Sequence, residues 1–406
     1  MKILFLFLLF NSASFSQNET EQLSVYIDCN NCDRNFIKQE LTYLTYVRDR
    51  LLADVHIQIV NQNTGSGGEQ FTFFFYGQDQ LAGKDDTLTV TTNVNNTFDE
   101  IRRTQLKTIQ LGLVSYMIKK GFSDQINLSI DSKSSEIRIE EKDPWNNWVF
   151  NIRANGWFNG EEQQRSMSLN GGLNIDRITD NWKIESSVWM NYNRSEFYFE
   201  EDTIVSQRQS LWSSISVVKS ISDHFSFGTS LDLSSSLFEN YKVNTSLSPA
   251  LEYNVFKYSE STKRQIRISY RAGVRYNEYN EETIYNKNEE TLMFETLGID
   301  ANFQEKWGSV SASVSGSHYF HNIDINRVNF RLSLDLRLFK GFTWRVSGNL
   351  ALIHDQISLP LGDATEEDVL LSQRQLQTGF RYWGSMGIGY TFGSIYNSVV
   401  NPRFGG

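Results

Sequence analysis

The sequence predicts a small α+β domain followed by an all-β transmembrane antiparallel barrel of about twelve strands. Three observations carry that prediction. From Trp145 onward, segments of roughly ten residues alternate apolar and polar side chains, the period-2 pattern of strands with two unlike faces. Beyond the first residues, no apolar run approaches the roughly 18 residues that a membrane-crossing helix needs, so any insertion must use strands. Aromatic residues make up 14% of the chain and there are only 4 Pro, which argues against a disordered or linker-like chain. The net charge of −10 argues against nucleic acid as a partner, because such binding needs a basic face. With 2 Cys the chain has neither a disulfide framework nor a multi-cysteine zinc array.

The N-terminus reads as an export signal, residues 1–16. Lys2 precedes an apolar run from Ile3 to Phe10, and Ser14 and Ser16 occupy the −3 and −1 positions of a cut before Gln17. No Cys follows the cut, which argues against a lipid-anchored terminus. Residues 17–131 then form the predicted periplasmic α+β domain, with residues 132–144 as linker. Short strands are expected at Ser24–Asp28, Val55–Val60, Phe71–Tyr76 and Thr87–Thr91. A first helix is expected from about Asp33 to Leu52. A second opens on the capping box Thr97–Glu100, buries Leu106, Ile109, Leu113 and Met117, and ends at Lys119-Lys120-Gly121. The expected order is β-α-β-β-β-α.

Cys29-Asn30-Asn31-Cys32 lies between the first strand and the first helix. A redox C-x-x-C is the sharp reading, since a helix N-terminus lowers a thiol pKa. The flanks lack the Trp and Gly-Pro of thioredoxin motifs, and an exported chain favours a local structural disulfide between Cys29 and Cys32. Thr64–Gly68 lacks the Lys-Ser/Thr of a phosphate loop and precedes no helix, so it reads as a mobile hairpin loop.

Residues 145–392 are the predicted barrel. In the clearest strand, Ser309, Ser311, Ser313, Ser315 and Ser317 alternate with Val310, Ala312, Val314, Gly316 and His318. A soluble sandwich also alternates, so connection lengths are used to decide. Short turns are expected near Thr179–Asn181, Ser222–His224, Ser259–Ser261, Glu305-Lys306 and Lys340-Gly341. Longer, acidic external loops are expected near Asn159–Gln164, Ser195–Gln207, Glu278–Glu290, Ile323–Asn326 and Leu361–Gln373, with a modest one near Asn240. Trp148, Trp182, Tyr192, Trp344, Tyr382 and Tyr390 sit at strand ends, as interfacial girdles require. An even strand count places both ends of the barrel in the periplasm. Tyr390 and Phe392 close the last strand and resemble the signal read by barrel-insertion machinery, although a tail, residues 393–406, follows.

The pieces Ile27–Cys29, Tyr46–Arg50, Ala53–His56 and Gly65–Gly68 ahead of a barrel resemble a family of exported Gram-negative outer-membrane β-barrel proteins with a small N-terminal periplasmic domain. The resemblance covers most of the mature chain. It implies location and architecture, and no activity.

Alternation also predicts the lumen. Arg153, Arg267, Arg271, Arg275, Arg331, Arg337, Arg345 and Arg381 should point inward, as should Asp176, Glu185, Asp232, Glu252 and Asp335. Most of the Arg residues come from the later strands, and Asp176, Glu185, Asp232 and Glu252 from the earlier ones. A barrel of about twelve strands lies between filled and open sizes, so the lumen is either sealed by ion pairs or a narrow pore. The expectation leans to a non-enzymatic component that holds a periplasmic protein partner, with lipid and lipopolysaccharide around it. An outer-membrane hydrolase is the weakest reading, because the loop around His318 and His321 lacks the His-Asp-Ser-Asn context of outer-membrane phospholipases. No cofactor or metal is expected.

Overall fold

The computed structural model describes residues 22–127, 143–199, 202–362 and 374–393. The predicted signal, most of the linker and nearly all of the tail lie outside the described residues. The N-terminal part is a 5-stranded sheet in the order β2-β1-β3-β4-β5. Its strands are β1 (Ser24–Cys29), β2 (Thr45–Tyr46), β3 (Val55–Asn63), β4 (Glu69–Gly77) and β5 (Asp86–Thr92). β1 runs parallel to β2 and β3, and the remaining pairs are antiparallel. Helix α2 (Phe98–Lys119) buries Leu106, Ile109, Leu113 and Met117 against the sheet, and its predicted capping box is present in both directions. Gly112 sits where a Cβ would lie 2.0 Å from Cζ of Phe75, so close helix–sheet packing requires the missing side chain.

The predicted first helix is much shorter than expected. α1 covers Arg34–Glu40, and the chain then leaves it to form β2. Thr42, Tyr43, Thr45, Tyr46 and Val47 are aromatic or β-branched, poor helix formers that fit a strand edge. Tyr46 reinforces the stop, its hydroxyl lying 3.2 and 3.1 Å from the carbonyls of Ile37 and Leu41. Thr64–Gly68 is the β3–β4 hairpin loop, closed by Thr64 N donating to Gly68 O, with Gly67 in the left-handed region at φ 77°.

The remainder is a 12-stranded antiparallel meander in which every strand pairs with its sequence neighbours. Its strands are β6 (Trp148–Gly160), β7 (Gln164–Ile178), β8 (Trp182–Tyr198), β9 (Thr203–Ser220), β10 (Phe225–Ser236) and β11 (Tyr241–Asn254). They continue as β12 (Arg264–Tyr279), β13 (Glu289–Glu305), β14 (Gly308–Tyr319), β15 (Asn322–Phe339), β16 (Phe342–Ile353) and β17 (Phe380–Tyr390). The sheet curls until side chains from β8 to β14 line one cavity. Among the described residues no ladder joins β6 to β17, and both edge strands are largely exposed.

Connection lengths alternate less than the sequence predicted. Asn159–Gln164 and Ile323–Asn326 are not long loops, because β7 begins at Gln164 and β15 at Asn322. The ladder continues through residues such as Asn322, Asp324 and Asn326, whose polarity hides the strand once both faces meet water. Conversely, the turn near Ser259–Ser261 is longer than expected and contains a 3-10 turn, Tyr258–Glu260. On the other end, residues 280–288 make a long connection, and the expected loop at Leu361–Gln373 lies almost wholly outside the described residues.

Candidate functional site

The ladder register turns the predicted polar row into a cavity of about 860 Å³ on the inner face of the sheet. Arg267 stands opposite Asp300 in register and pairs with it at 3.1 Å, with Glu252 at 3.8 Å on its other side. Asp232 accepts from the hydroxyls of Ser214 at 2.7 Å and Ser230 at 3.2 Å. Glu252 accepts from Tyr258 at 3.1 Å. Arg275 donates to the Tyr319 hydroxyl at 3.0 Å and lies over the Phe294 ring at 4.7 Å. Arg271 lines the same cavity with no ion pair among the described residues. Asp176 faces Glu185 across β7 and β8, and Lys183 meets Glu185 at 2.9 Å.

The other predicted lumen residues are not gathered into this cavity. Asp335 pairs with Arg345 at 2.9 Å, near one end of the sheet. Arg153 donates to its strand neighbour Asn151 at 2.7 Å. Arg331 and Arg381 have no ion pair among the described residues. Arg337 leaves the lumen set altogether: its guanidinium forms a bidentate pair with Asp28 of β1. Cys29 and Cys32 are joined as a disulfide beside it. Tyr390 and Phe392 stack at 5.7 Å on the exposed edge strand.

One end of the cavity is covered from within. After β16 the chain folds inward, and Ile357, only 3% exposed, packs on Leu292, Phe294 and Tyr319. Asn240 anchors this segment. Its side-chain amide donates to the carbonyls of Ser358 and Glu281 at 2.9 Å, and its oxygen accepts from Glu281 N at 2.8 Å. Arg327 clasps Asp355 through two nitrogens, and Ile284 N donates to Leu359 O at 2.9 Å. A second cavity of about 350 Å³, lined by Arg275, Arg327, Asp355 and Tyr319, lies under this cover.

The N-terminal domain seats on the opposite end. Besides the Asp28–Arg337 pair, Gln58 donates to Glu305 O at 3.2 Å and the Lys306 ammonium lies 3.8 Å from the centre of the Tyr76 ring. Burial would raise the Asp28 carboxyl. The His56 imidazole beside it and the Arg337 guanidinium, through its hydrogen bonds and its charge, together outweigh burial and hold it below the usual carboxylate range. His56 is fully buried with Nε2 3.4 Å from Asp28, too poorly aligned for a geometric hydrogen bond. Burial pushes its imidazole below the ordinary value; Asp28 opposes that shift, and the Arg337 and Arg50 charges add to it.

Sequence reasoning missed the groups that cover the two ends. Ile357, Leu359 and Leu361 repeat at every second position just beyond β16, and that apolar alternation is the available signal. Trp212, which lines the main cavity, breaks the polar row of β9 and was visible only once the register with Trp189 was known. Nothing local in the sequence pairs Asp28 with a residue 309 positions away.

No family model matches the chain, and no curated protein does either. Among solved structures the NanC porin is similar at TM-score 0.28 and 7% identity, over 59% of this chain and 98% of that one. The β-domain of the Bordetella autotransporter BrkA is similar at TM-score 0.27 and 10% identity, over 60% of this chain and 98% of that one. Likenesses this loose carry no functional content, and the architecture rests on the strand ladders themselves.

Proposed function

We propose that the chain is an integral outer-membrane β-barrel protein with its N-terminal domain in the periplasm. In this reading it works as a sealed, non-enzymatic scaffold that holds a periplasmic protein partner. The observation that carries the membrane reading is an apolar belt on the outer face of the sheet. Met190, Ile215, Leu231 and Leu251 on the successive strands β8 to β11, with Met293 on β13 and Leu350 on β16, are between 41% and 59% exposed. A soluble protein rarely exposes a contiguous apolar patch beyond a few hundred Å². In hydrocarbon the free edges of β6 and β17 would each leave a row of backbone groups unsatisfied, so insertion demands that they pair. The mature protein is expected in the outer-membrane fraction with heat-modifiable gel migration, as a closed ladder resists detergent until boiled. Recovery as a soluble periplasmic protein would reject the proposal.

A narrow pore is the second reading. It is favoured by the 860 Å³ cavity, whose wall carries Arg271 without an ion pair among the described residues. The inward segment around Ile357 and the seated N-terminal domain support the sealed state instead.

A further inference from the structure

The seam between the N-terminal domain and the β15–β16 turn encloses a separate cavity of about 340 Å³. Arg34 and Lys38 of α1, Arg48 and Arg50 after β2, and Arg337 and Lys340 of the barrel line it, with Asp49 as the one carboxylate among its lining residues. Arg337 is taken by Asp28, and the Arg34 guanidinium donates to the carbonyl of Cys29 at 2.6 Å. Arg48, Arg50 and Lys340 have no ion pair among the described residues. The like charges are unrelieved: burial, and then the charges of Arg34 and Arg48, push the Lys38 ammonium below its ordinary value. Cations held together against their own repulsion, in a concave site, are arranged for an anion.

The rim identifies the kind of anion. Leu338 and Phe339, at the end of β15, are 55% and 61% exposed, and Leu51 on the facing domain is 58% exposed. Phe339 stacks on Phe342 at 4.7 Å across the turn. These apolar groups continue the outer belt to the level where lipid head groups would lie, so the cationic cavity opens beside acyl chains. Asp49 adds an acceptor: its Oδ1 takes the Leu51 amide at 2.9 Å, while the buried Oδ2 has no partner among the described residues. We propose that this seam binds the head group of an anionic phospholipid of the periplasmic leaflet. The phosphate would meet Arg48, Arg50 and Lys340, and a head-group hydroxyl would reach Asp49. The inference rests on the membrane reading above. It assigns the lipid a structural task, since one head group would bridge the domain and the barrel turn.

The test uses the full mature chain in phosphatidylcholine nanodiscs with spin-labelled phosphatidylglycerol or phosphatidylcholine as the probe. The wild type should immobilise phosphatidylglycerol preferentially. R48Q, R50Q and K340Q, the last from the barrel side, should each weaken that preference roughly fivefold, the worth of one cation near an anionic surface. R48K should retain most of it, and unchanged heat-modifiable migration would show that each variant folds. Failure of the chain to enter the discs would overturn the membrane reading and this site together. Entry with no phosphatidylglycerol preference, or a preference that survives both arginine variants, would overturn the site alone. Displacement of the labelled lipid by inorganic phosphate at equal molar concentration would overturn the lipid assignment in favour of a soluble phosphate compound.

Discussion

His56 shows how one side chain can make the fit between domain and barrel depend on pH. It is fully buried, edge-on to Tyr26 at 5.2 Å, 5.6 Å from the Tyr76 ring and beside the Asp28 carboxylate, with the charges of Arg337 and Arg50 in range. Its folded-state pKa is depressed, so the folded protein holds it neutral, whereas the unfolded chain takes up a proton below pH ~6.5. Stability of the domain therefore falls as pH drops through that value. Asp28 contributes the opposite kind of group with the same sign: its depressed pKa keeps its contribution intact above pH ~4 and loses it only below. Protection of the β1 and β3 amides against hydrogen exchange, relative to the intrinsic rate at each pH, should fall between pH 7 and 5 in the wild type, and H56F should flatten that window while leaving the more acidic step. An unchanged slope in H56F would assign the dependence to another group. The sequence showed both residues inside recognisable short pieces, Ile27–Cys29 and Ala53–His56. It could not show that parallel pairing sets Tyr26 opposite His56, because that register is decided by contacts distant along the chain.

At the scale of elements, local signals were legible where the chemistry was local. The Thr97 capping box, the apolar stripe of α2 and the alternation of β14 all follow from neighbours within a few residues. The expected helix runs past the end of α1 because the apolar positions beyond Glu40 fit a helical period as well as a strand edge, and only pairing with β1 resolves them. β7 and β15 extend beyond the expected strands for the converse reason, since a strand that leaves an apolar environment keeps its hydrogen bonds but loses its alternation. Gly112 was invisible as a constraint, for nothing in an α2 otherwise rich in helix formers marks the Phe75 ring that fills its face. Gly112→Ala should improve intrinsic helix propensity yet destabilise the domain by about 1–3 kcal/mol, because the ring has no space to retreat. Chemical denaturation followed through α2 amide exchange in the full chain would measure it, and a stabilising effect would mean that Phe75 repacks freely.

At the scale of the whole molecule, the two ends of the main cavity carry different contacts. The inward segment tied down by Asn240 packs over one end of the main cavity, and the N-terminal domain, through the Asp28–Arg337 pair, contacts the barrel at the other. The sequence made the charged inner wall legible but not the covers, since a cover is a tertiary event and leaves only an apolar triplet or an unremarkable Asp behind. The wild type should give no conductance steps in planar bilayers. Asn240 sits at φ 61°, 2% exposed, and its side chain ties the inward segment at Ser358 to the β12–β13 connection, with one hydrogen bond to Ser358 and two to Glu281, so N240A combines left-handed strain with lost anchors. A truncation that leaves such buried groups unpaired costs about 1–3 kcal/mol, enough to populate an open segment without unfolding the sheet. If the N-terminal domain only flanks its mouth, N240A alone should conduct. If the domain seals it, conductance should require N240A together with R337Q, which frees the domain by leaving Asp28 unpaired. In either case the added substitution R271Q should shift the ion selectivity of the open path, because Arg271 faces the cavity without a neutralising partner among the described residues. Steady conductance of the unmodified protein would reject the sealed scaffold and leave the charged cavity as a working pore.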